Sequence, residues 1–381
     1  MAETLIIVGA SARAAAAAAK RAGYQPYGID LFADDDLRAL GTVQRVSRFP
    51  QELLPALHAA PASPWLYTGG LENYPSVVDR MAAERPLLGN PGSALREVRH
   101  PWHLQRTLRS AGFRYPDLRA TTDIPTTGRW LLKPLRSGGG RGVRMLRHEE
   151  ALAQEDGWYL QEFIEGQAGS ALFVANSKDC VLVGTSQQLL GGEWNFGEPF
   201  AYVGSIAPMP GGELLHDRLA QLGRLLASAF QLRGLFGVDF IRSEVEFWTI
   251  EVNPRYPASA EVIERATGVN PIAAHVAACR DEIVSKPPRA RDRYFGKEIV
   301  YASGNSAVGG DFLKWVARQN AGNQWPVVAD IPAQGTEVAA GDPVVTVFAD
   351  AEDPALALTT LRRLAHEATG FLAAPDQQTS E

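Results

Sequence analysis

Glu251, Asn253 and Arg255 alternate with Val252 and Pro254 at the end of an apolar run, Phe247-Trp248-Thr249-Ile250. Side chains at i, i+2 and i+4 of a strand share a face, so a carboxylate, an amide and a guanidinium point the same way. Asp239 lies in the preceding segment, GVDFI. If 236–242 and 246–253 pair as a hairpin turning near 243–245, Asp239 comes close to Glu251. Two carboxylates and an amide oxygen are hard ligands suited to Mg²⁺, which commonly completes its shell with substrate phosphates. Arg255 beside them can contact a phosphoryl oxygen through two N–H groups. A solvated strand end with a local salt bridge would use the same residues.

A second constellation is LLKPLRSGGGRGV. Lys133 ends an apolar strand, and Ser137, Gly138, Gly139, Gly140 and Gly142 form the turn after it. Glycines let a phosphate approach the exposed backbone N–H groups, and Lys133 supplies a point charge. No Lys-Ser/Thr pair follows the last glycine, so this is not a Walker A loop. A hairpin tip explains the glycines equally well, but not a lysine inside an apolar strand. A third stretch, YLQEFIEG, places a carboxylate and free backbone at a strand-to-linker crossing, where an adenine amine can be read.

These residues must be positioned by strands and turns. TLIIV at 4–8, 26–32 and 64–70 read as strands alternating with helices, one of them near 51–60. That pattern predicts a parallel, doubly wound sheet over roughly residues 1–95. GASAR after the first strand is not GxGxxG, and the alanines at 14–19 let a helix sit close to the sheet. Ligands of such sheets bind beyond the carboxyl ends of the strands, so GASAR and GGLEN are expected at one edge. Ser11, Arg13 and Glu72 would then face the rest of the protein. Arg13 is a candidate for a substrate carboxylate and Glu72 for an amine; equally, Arg13 can pack at the helix start.

Further on, the pattern predicts strand–turn–strand over 129–146 and strands at 157–166, 170–176 and 180–186. Helices are expected at 213–231 and 270–284, and a linker at 285–294. The tail, with strands in KEIVYA, EVAAG and PVVTVFA and a helix at 354–368, has the turn spacing of a small barrel or sandwich. The loop WNFGEPFAY reads as a packed loop; as a lid over substrate it would offer Trp194 and Tyr202. His275 and Cys279 stand at i and i+4 of a helix without a further ligand.

The chain has 381 residues, 45% of them hydrophobic, a net charge of −6 and two cysteines. It is long enough for two or three domains. The charge argues against broad nucleic-acid binding, and the cysteines suggest neither a disulfide framework nor a zinc site. LIIVGASAR has no basic stretch before it, and no apolar run approaches a bilayer span. A cytoplasmic protein without a membrane partner is the expectation.

Taken in order, the lysine with its glycine loop, QEFIEG, GVDF and EVNPR resemble the ATP-grasp superfamily, specifically its biotin-carboxylase-like branch. GLEN at 70–73, GKEIVYA and the tail extend the resemblance over most of the chain. It implies an α/β fold with a Rossmann-like domain at 1–97, an ATP-grasp core at 98–290 with a lid at about 115–163, and a small β-rich domain at 291–375. It implies ATP and Mg²⁺ (or Mn²⁺) as cofactors. Lys133 and 137–142 would bind phosphates, Glu162 would accept from the adenine amine, and the Ile164 backbone would pair with the ring. Ile241 and Ile250 would flank the adenine. Asp239, Glu251 and Asn253 would bind the metal, and Arg255 would stabilise the transferring phosphate.

The sequence departs from that family in three places. The usual early lysine is missing from VRHPWHLQR, where Arg99 or Arg106 stands in its region. EGQAGS offers only Glu165 for the ribose. Carboxylases carry a glutamate four residues after the motif arginine, whereas here the residue is Ser259. Glu261, in an extended run, would sit two strand rises beyond it. There is no Met-Lys-Met biotinylation sequence. The resemblance therefore implies a ligase joining a carboxylate, such as glutamate, to an amine through an acyl phosphate. It is similar to a branch of carboligases whose relatives include enzymes of methanofuran and tetrahydromethanopterin biosynthesis. The alternatives are a bicarbonate-dependent carboxylase and a non-catalytic nucleotide-binding protein. The expected partners are small molecules, and the resemblance allows a homodimer.

Overall fold

The computed structural model describes residues 2–147, 157–194, 198–243, 246–282 and 292–372. Most of the expected linker at 285–294, the boundary at 290/291, the end of the helix expected at 270–284 and parts of the lid and of the WNFGEPFAY loop lie outside the described residues.

Near the N-terminus, strands Thr42–Arg45, Gln25–Asp30, Thr4–Val8 and Trp65–Tyr67 lie side by side in that order, all parallel. The order turns back at the first strand, so a crevice opens beyond the carboxyl ends of Thr4–Val8 and Trp65–Tyr67. The loops there touch. Ala10 N–H donates to the Gly69 carbonyl (3.0 Å), and the Thr68 hydroxyl donates to the Ser11 carbonyl (2.8 Å). Helix Arg13–Arg21 carries the alanine run. Ala15, Ala16, Ala18 and Ala19 are fully buried between the strands and Ile263, Ala266 and Ile272 of the core. Small side chains permit that close double contact.

The main sheet is antiparallel and has eight strands. Their order is Phe247–Asn253, Gly234–Arg242, Gln167–Ala175, Cys180–Leu190, Tyr202–Ala207, Tyr294–Tyr301, Pro343–Ala351 and Val328–Ala329. Helix Gly212–Phe230 lays Leu215, Leu219, Leu222, Leu226 and Phe230 against one face, packing on Phe173 and Phe236. That spacing is one apolar stripe of a helix. The tail strands extend this sheet instead of closing a separate barrel. Strand Tyr202–Ala207 is the link, with Gly204 opposite Glu298. No strand is expected there from the sequence, where Gly204 interrupts the apolar pattern. A Cβ at Gly204 would lie 2.1 Å from the Lys297 carbonyl oxygen, so glycine is required for the pairing.

A third sheet, Leu118–Ala120, Trp158–Glu162, Trp130–Pro134 and Arg144–Met145, contains the strands expected within 129–146 and 157–166. Helices Ala260–Thr267 and Gly310–Asn320 were not foreseen. In the first, Glu261, Glu264 and Arg265 are as buried as Val262 and Ile263, so it has no polar face to betray it. Among the described residues no helix is long and apolar enough to cross a membrane.

Candidate active site

Strands Gly234–Arg242 and Phe247–Asn253 pair with Asp239 directly opposite Glu251. The register skips between Asp239 and Phe240, leaving Ile250 as an extra residue on the second strand. Such a bulge re-aims side chains. It explains how consecutive Ile250 and Glu251 both line one narrow cleft with Lys133, Arg99 and Ser137. Asn253 Nδ2 donates to Asp239 Oδ2 (3.0 Å) and Glu251 Oε1 (3.3 Å), and Asn253 Oδ1 accepts from Arg255 (3.1 Å). Burial and then the adjacent Glu251 push the Asp239 carboxyl up to about 7. Burial also acts to raise Glu251, but Arg99 and Lys133 outweigh it and hold that carboxyl below its ordinary value.

Crowded carboxylates of this kind fit a divalent cation, which would remove their repulsion. Asp239 and Glu251 would hold it. Asn253 would join them once its amide turned its oxygen inward. Among the described residues no group of three or more His, Cys, Asp or Glu side chains is placed to hold a metal. The remaining ligands therefore have to be water and substrate oxygens, as magnesium sites with phosphates commonly have.

Lys133 is buried, and its Nζ donates to Gln161 Oε1 (2.9 Å). Of the two arginines in the region of the missing lysine, Arg99 lines this cleft. Its Nη2 donates to the Ser137 carbonyl (2.9 Å) and to Asn73 Oδ1 (3.2 Å), tying the glycine loop to the GLEN turn. The loop itself lies against the main sheet. Tyr202 N–H donates to the Gly139 carbonyl (2.8 Å), and a Cβ on Gly140, whose φ is +73°, would stand 1.9 Å from the Phe200 carbonyl oxygen. Only glycine fits both constraints. The cleft between Lys133 and Glu251 is about 30 Å³, far below the ~300 Å³ of a small-molecule pocket.

Of the residues expected to hold an adenine, Glu162 accepts through Oε2 from Asp117 N–H (3.1 Å). Ile164, Ile241 and Ile250 are half-buried. The hinge after Ile164 runs close to Ile241, since a Cβ on Gly166 would lie 2.8 Å from Ile241 Cγ2.

Beyond Arg255 opens a cavity of about 750 Å³ lined by Ser11, Arg13, Glu72, Tyr202, Arg255 and Lys297, among others. Four of the five residues expected to face substrate therefore share one space. Trp194 does not. It stacks under Arg362 (4.6 Å) and packs in the tail's apolar cluster, lining a different cavity. Glu72 is buried and forms an ion pair with Arg255 (2.9 Å), while its other oxygen, Oε2, has no hydrogen-bond partner. Burial acts to raise Glu72, and Arg255 and Arg99 reverse it, so its pKa falls below the ordinary value.

Arg13 is not a free cation awaiting a substrate carboxylate. Its guanidinium donates to Glu261 (2.5 and 3.1 Å) and Asp330 (2.9 and 3.1 Å) and is almost wholly buried. Glu261 also faces Lys297 (3.6 Å). Burial would raise the Glu261 carboxyl, but Arg13 and Lys297 bring it down to about 2. The segment expected to be extended is helical here: Ser259 caps Ala260–Thr267, and its buried Oγ has no hydrogen-bond partner. Lys297 was overlooked, although a lysine inside the apolar strand FGKEIVY is the same signal that exposed Lys133. Burial lowers its pKa against the pull of Glu261 and Asp330. His275 is a core residue, with both ring nitrogens bonded to backbone, Leu235 N–H at 2.8 Å and the Leu88 carbonyl at 3.0 Å.

Residues 99–259 match the family model for the ATP-grasp domain. That stretch is an ATP-grasp domain. The matched stretch contains Lys133, the glycine loop, Glu162, Asp239, Glu251, Asn253 and Arg255, and begins at Arg99. The fold resembles the biotin carboxylase domain of Hydrogenobacter thermophilus 2-oxoglutarate carboxylase, solved with MgADP, ADP and bicarbonate. The TM-score is 0.75 at 14% identity, covering 96% of this chain and 90% of that one. It also resembles the L-amino acid ligase of Bacillus licheniformis, with a TM-score of 0.71 at 16% identity, covering 96% and 97%. An uncharacterized protein of Methanocaldococcus jannaschii is 20% identical over 274 residues, 69% of this chain and 63% of that relative. The ATP-grasp fold thus includes both biotin-carboxylase-like and amino-acid-ligating members among the structures this chain resembles. Glu72 and Lys297 lie outside the matched domain, in the parts that shape the second cavity.

Proposed function

We propose that this protein joins a carboxylate to an amine, releasing ADP and phosphate. The observation that carries this reading is that the carboxylate beside Arg255, Glu72, is locked in an ion pair and held below its ordinary value, while Asp34, the cavity carboxyl raised to about 8, faces Asp330, Asp30, Asp36 and Arg13 rather than Arg255. Glu261 is fixed between Arg13 and Lys297 at about 2, and the family pattern, in which carboxylases carry a glutamate four residues after the motif arginine, has Ser259 at that place here. A general base must be near neutrality to accept a proton efficiently. Ligation through an acyl phosphate needs none there, because the incoming carboxylate is already ionised.

The chemistry balances simply. A carboxylate oxygen attacks the γ-phosphorus and the bond to ADP breaks. The amine nitrogen then attacks the acyl carbon, the carbon–oxygen bond to phosphate breaks, and the nitrogen loses its proton to water. Lys133 and Arg99 bind and orient the phosphates, and Arg255 faces the transferring group, oriented by Glu72. Such fixed charges stabilise charge where it develops. Magnesium at Asp239 and Glu251 would neutralise phosphate charge and align it. Lys297, unpaired except for Glu261 at 3.6 Å, supports binding of the carboxylate, and Glu72 Oε2 supports binding of the amine.

The test is ADP release over a matrix of carboxylates and amines, with glutamate and one-carbon cofactor precursors as the first pair and bicarbonate as a separate arm. Release that needs both a carboxylate and an amine supports the reading. Release with bicarbonate alone overturns it.

A further inference from the structure

Strand Tyr294–Tyr301 has chemistry on both faces. Lys297 enters the cavity beside Arg255, and Glu298, its neighbour, points to the opposite side. There a separate cavity of about 1020 Å³ lies between the sheet and helix Pro354–Leu372. Its walls include Val203, Val300 and Ala365, and its polar groups include Glu298, Arg362 and His366.

Glu298 is only 8% exposed, and its Oε2 has no hydrogen-bond partner. A buried carboxylate oxygen without a donor is costly, and native structures rarely leave one. Arg362 lies over the Trp194 ring (4.6 Å) and makes no ion pair among the described residues. The two opposite charges face one space without meeting each other. Burial pushes the Glu298 carboxyl up to about 7, and Arg362 pulls weakly against it. The carboxylate calls for a cationic donor, and the guanidinium for an anion. One molecule carrying both charges would bridge the gap.

We propose that this cavity binds a small zwitterion of the amino-acid class, its ammonium donating to Glu298 and its carboxylate accepting from Arg362. The site is separate from the ATP-grasp chemistry and does not depend on it. His366 lies on the same helix, one turn beyond Arg362, and adds a second donor for the carboxylate. The apolar walls leave room for a side chain.

Calorimetric titration of the full chain with the twenty amino acids, in the absence of ATP, tests this. Each is compared with the amine and the carboxylic acid that carry the same side chain. At least one amino acid should bind, and analogues lacking either charge should bind at least tenfold more weakly. Glu298→Gln and Arg362→Met should each weaken binding at least tenfold. Lys297→Met, in the other cavity, should leave it unchanged. Arg362 is exposed, so its variant decides the matter even if Glu298→Gln disturbs folding. Absence of binding overturns the proposal. So does binding that Lys297→Met abolishes while Glu298→Gln and Arg362→Met leave it intact.

Discussion

Replacing Arg13 with methionine keeps much of the apolar stem and removes the guanidinium that joins Glu261 to Asp330. Glu261 is held at about 2, whereas its ordinary value is 4.5. At about 1.4 kcal/mol per pH unit, that difference corresponds to about 3 kcal/mol of stability near neutral pH. Independently, removing one partner of a buried pair costs about 3–5 kcal/mol. Lys297 remains beside Glu261 in the variant, so the lower figure is the better expectation. The folded-state value lies below the unfolded one. The stabilisation is therefore complete above about 4.5 and disappears as pH falls through about 2. Urea unfolding of both proteins should show the variant weaker by about 3 kcal/mol at pH 7, with the gap narrowing as pH falls toward 3. A gap below about 1 kcal/mol at pH 7, or one that does not change with pH, would refute the reasoning and return Arg13 to a substrate role.

Glu251→Gln should lower ATP turnover about a hundredfold or more while leaving the melting temperature within a few degrees, and wild-type turnover should need Mg²⁺ or Mn²⁺. Turnover in EDTA would contradict the carboxylate site. Hydrogen exchange at 137–142 should slow when ATP is added, because backbone N–H groups that cover a phosphate become protected; equal exchange with and without ATP would count against that role. Arg99→Met should raise the KM for ATP about tenfold, the loss of one charge-assisted hydrogen bond, and Arg106→Met should leave it unchanged. Equal effects of the two would remove Arg99 from the phosphate site.

The grouping of Asp239, Glu251 and Asn253 was legible because it is local. Asp239, Glu251 and Asn253 sit on two strands of one hairpin, and strand periodicity alone puts them on one face. Lys133 was legible for the same reason, as a charge where the pattern demands an apolar residue. Arg13 was not. Its partners Glu261 and Asp330 are 248 and 317 residues away, and no periodicity announces a pairing at that range. The same distance hid the joining of the tail to the main sheet through Tyr202–Ala207. Ser11 and Glu72 were placed by the rule that ligands sit at strand ends, and Tyr202 by the alternative reading of its loop as a lid. Trp194 was misplaced because an aromatic, glycine-rich loop reads alike whether it covers a ligand or packs on a neighbouring helix.

The acyl phosphate is the step on which the proposed ligase stands, and hydroxylamine tests it directly. With ATP, Mg²⁺ and the carboxylate present and the amine withheld, hydroxylamine should attack the acyl carbon and yield a hydroxamate, one for each ADP released. Bicarbonate should neither replace the carboxylate nor stimulate the reaction. ADP release that bicarbonate alone drives, with no hydroxamate from any carboxylate tested, would contradict the account.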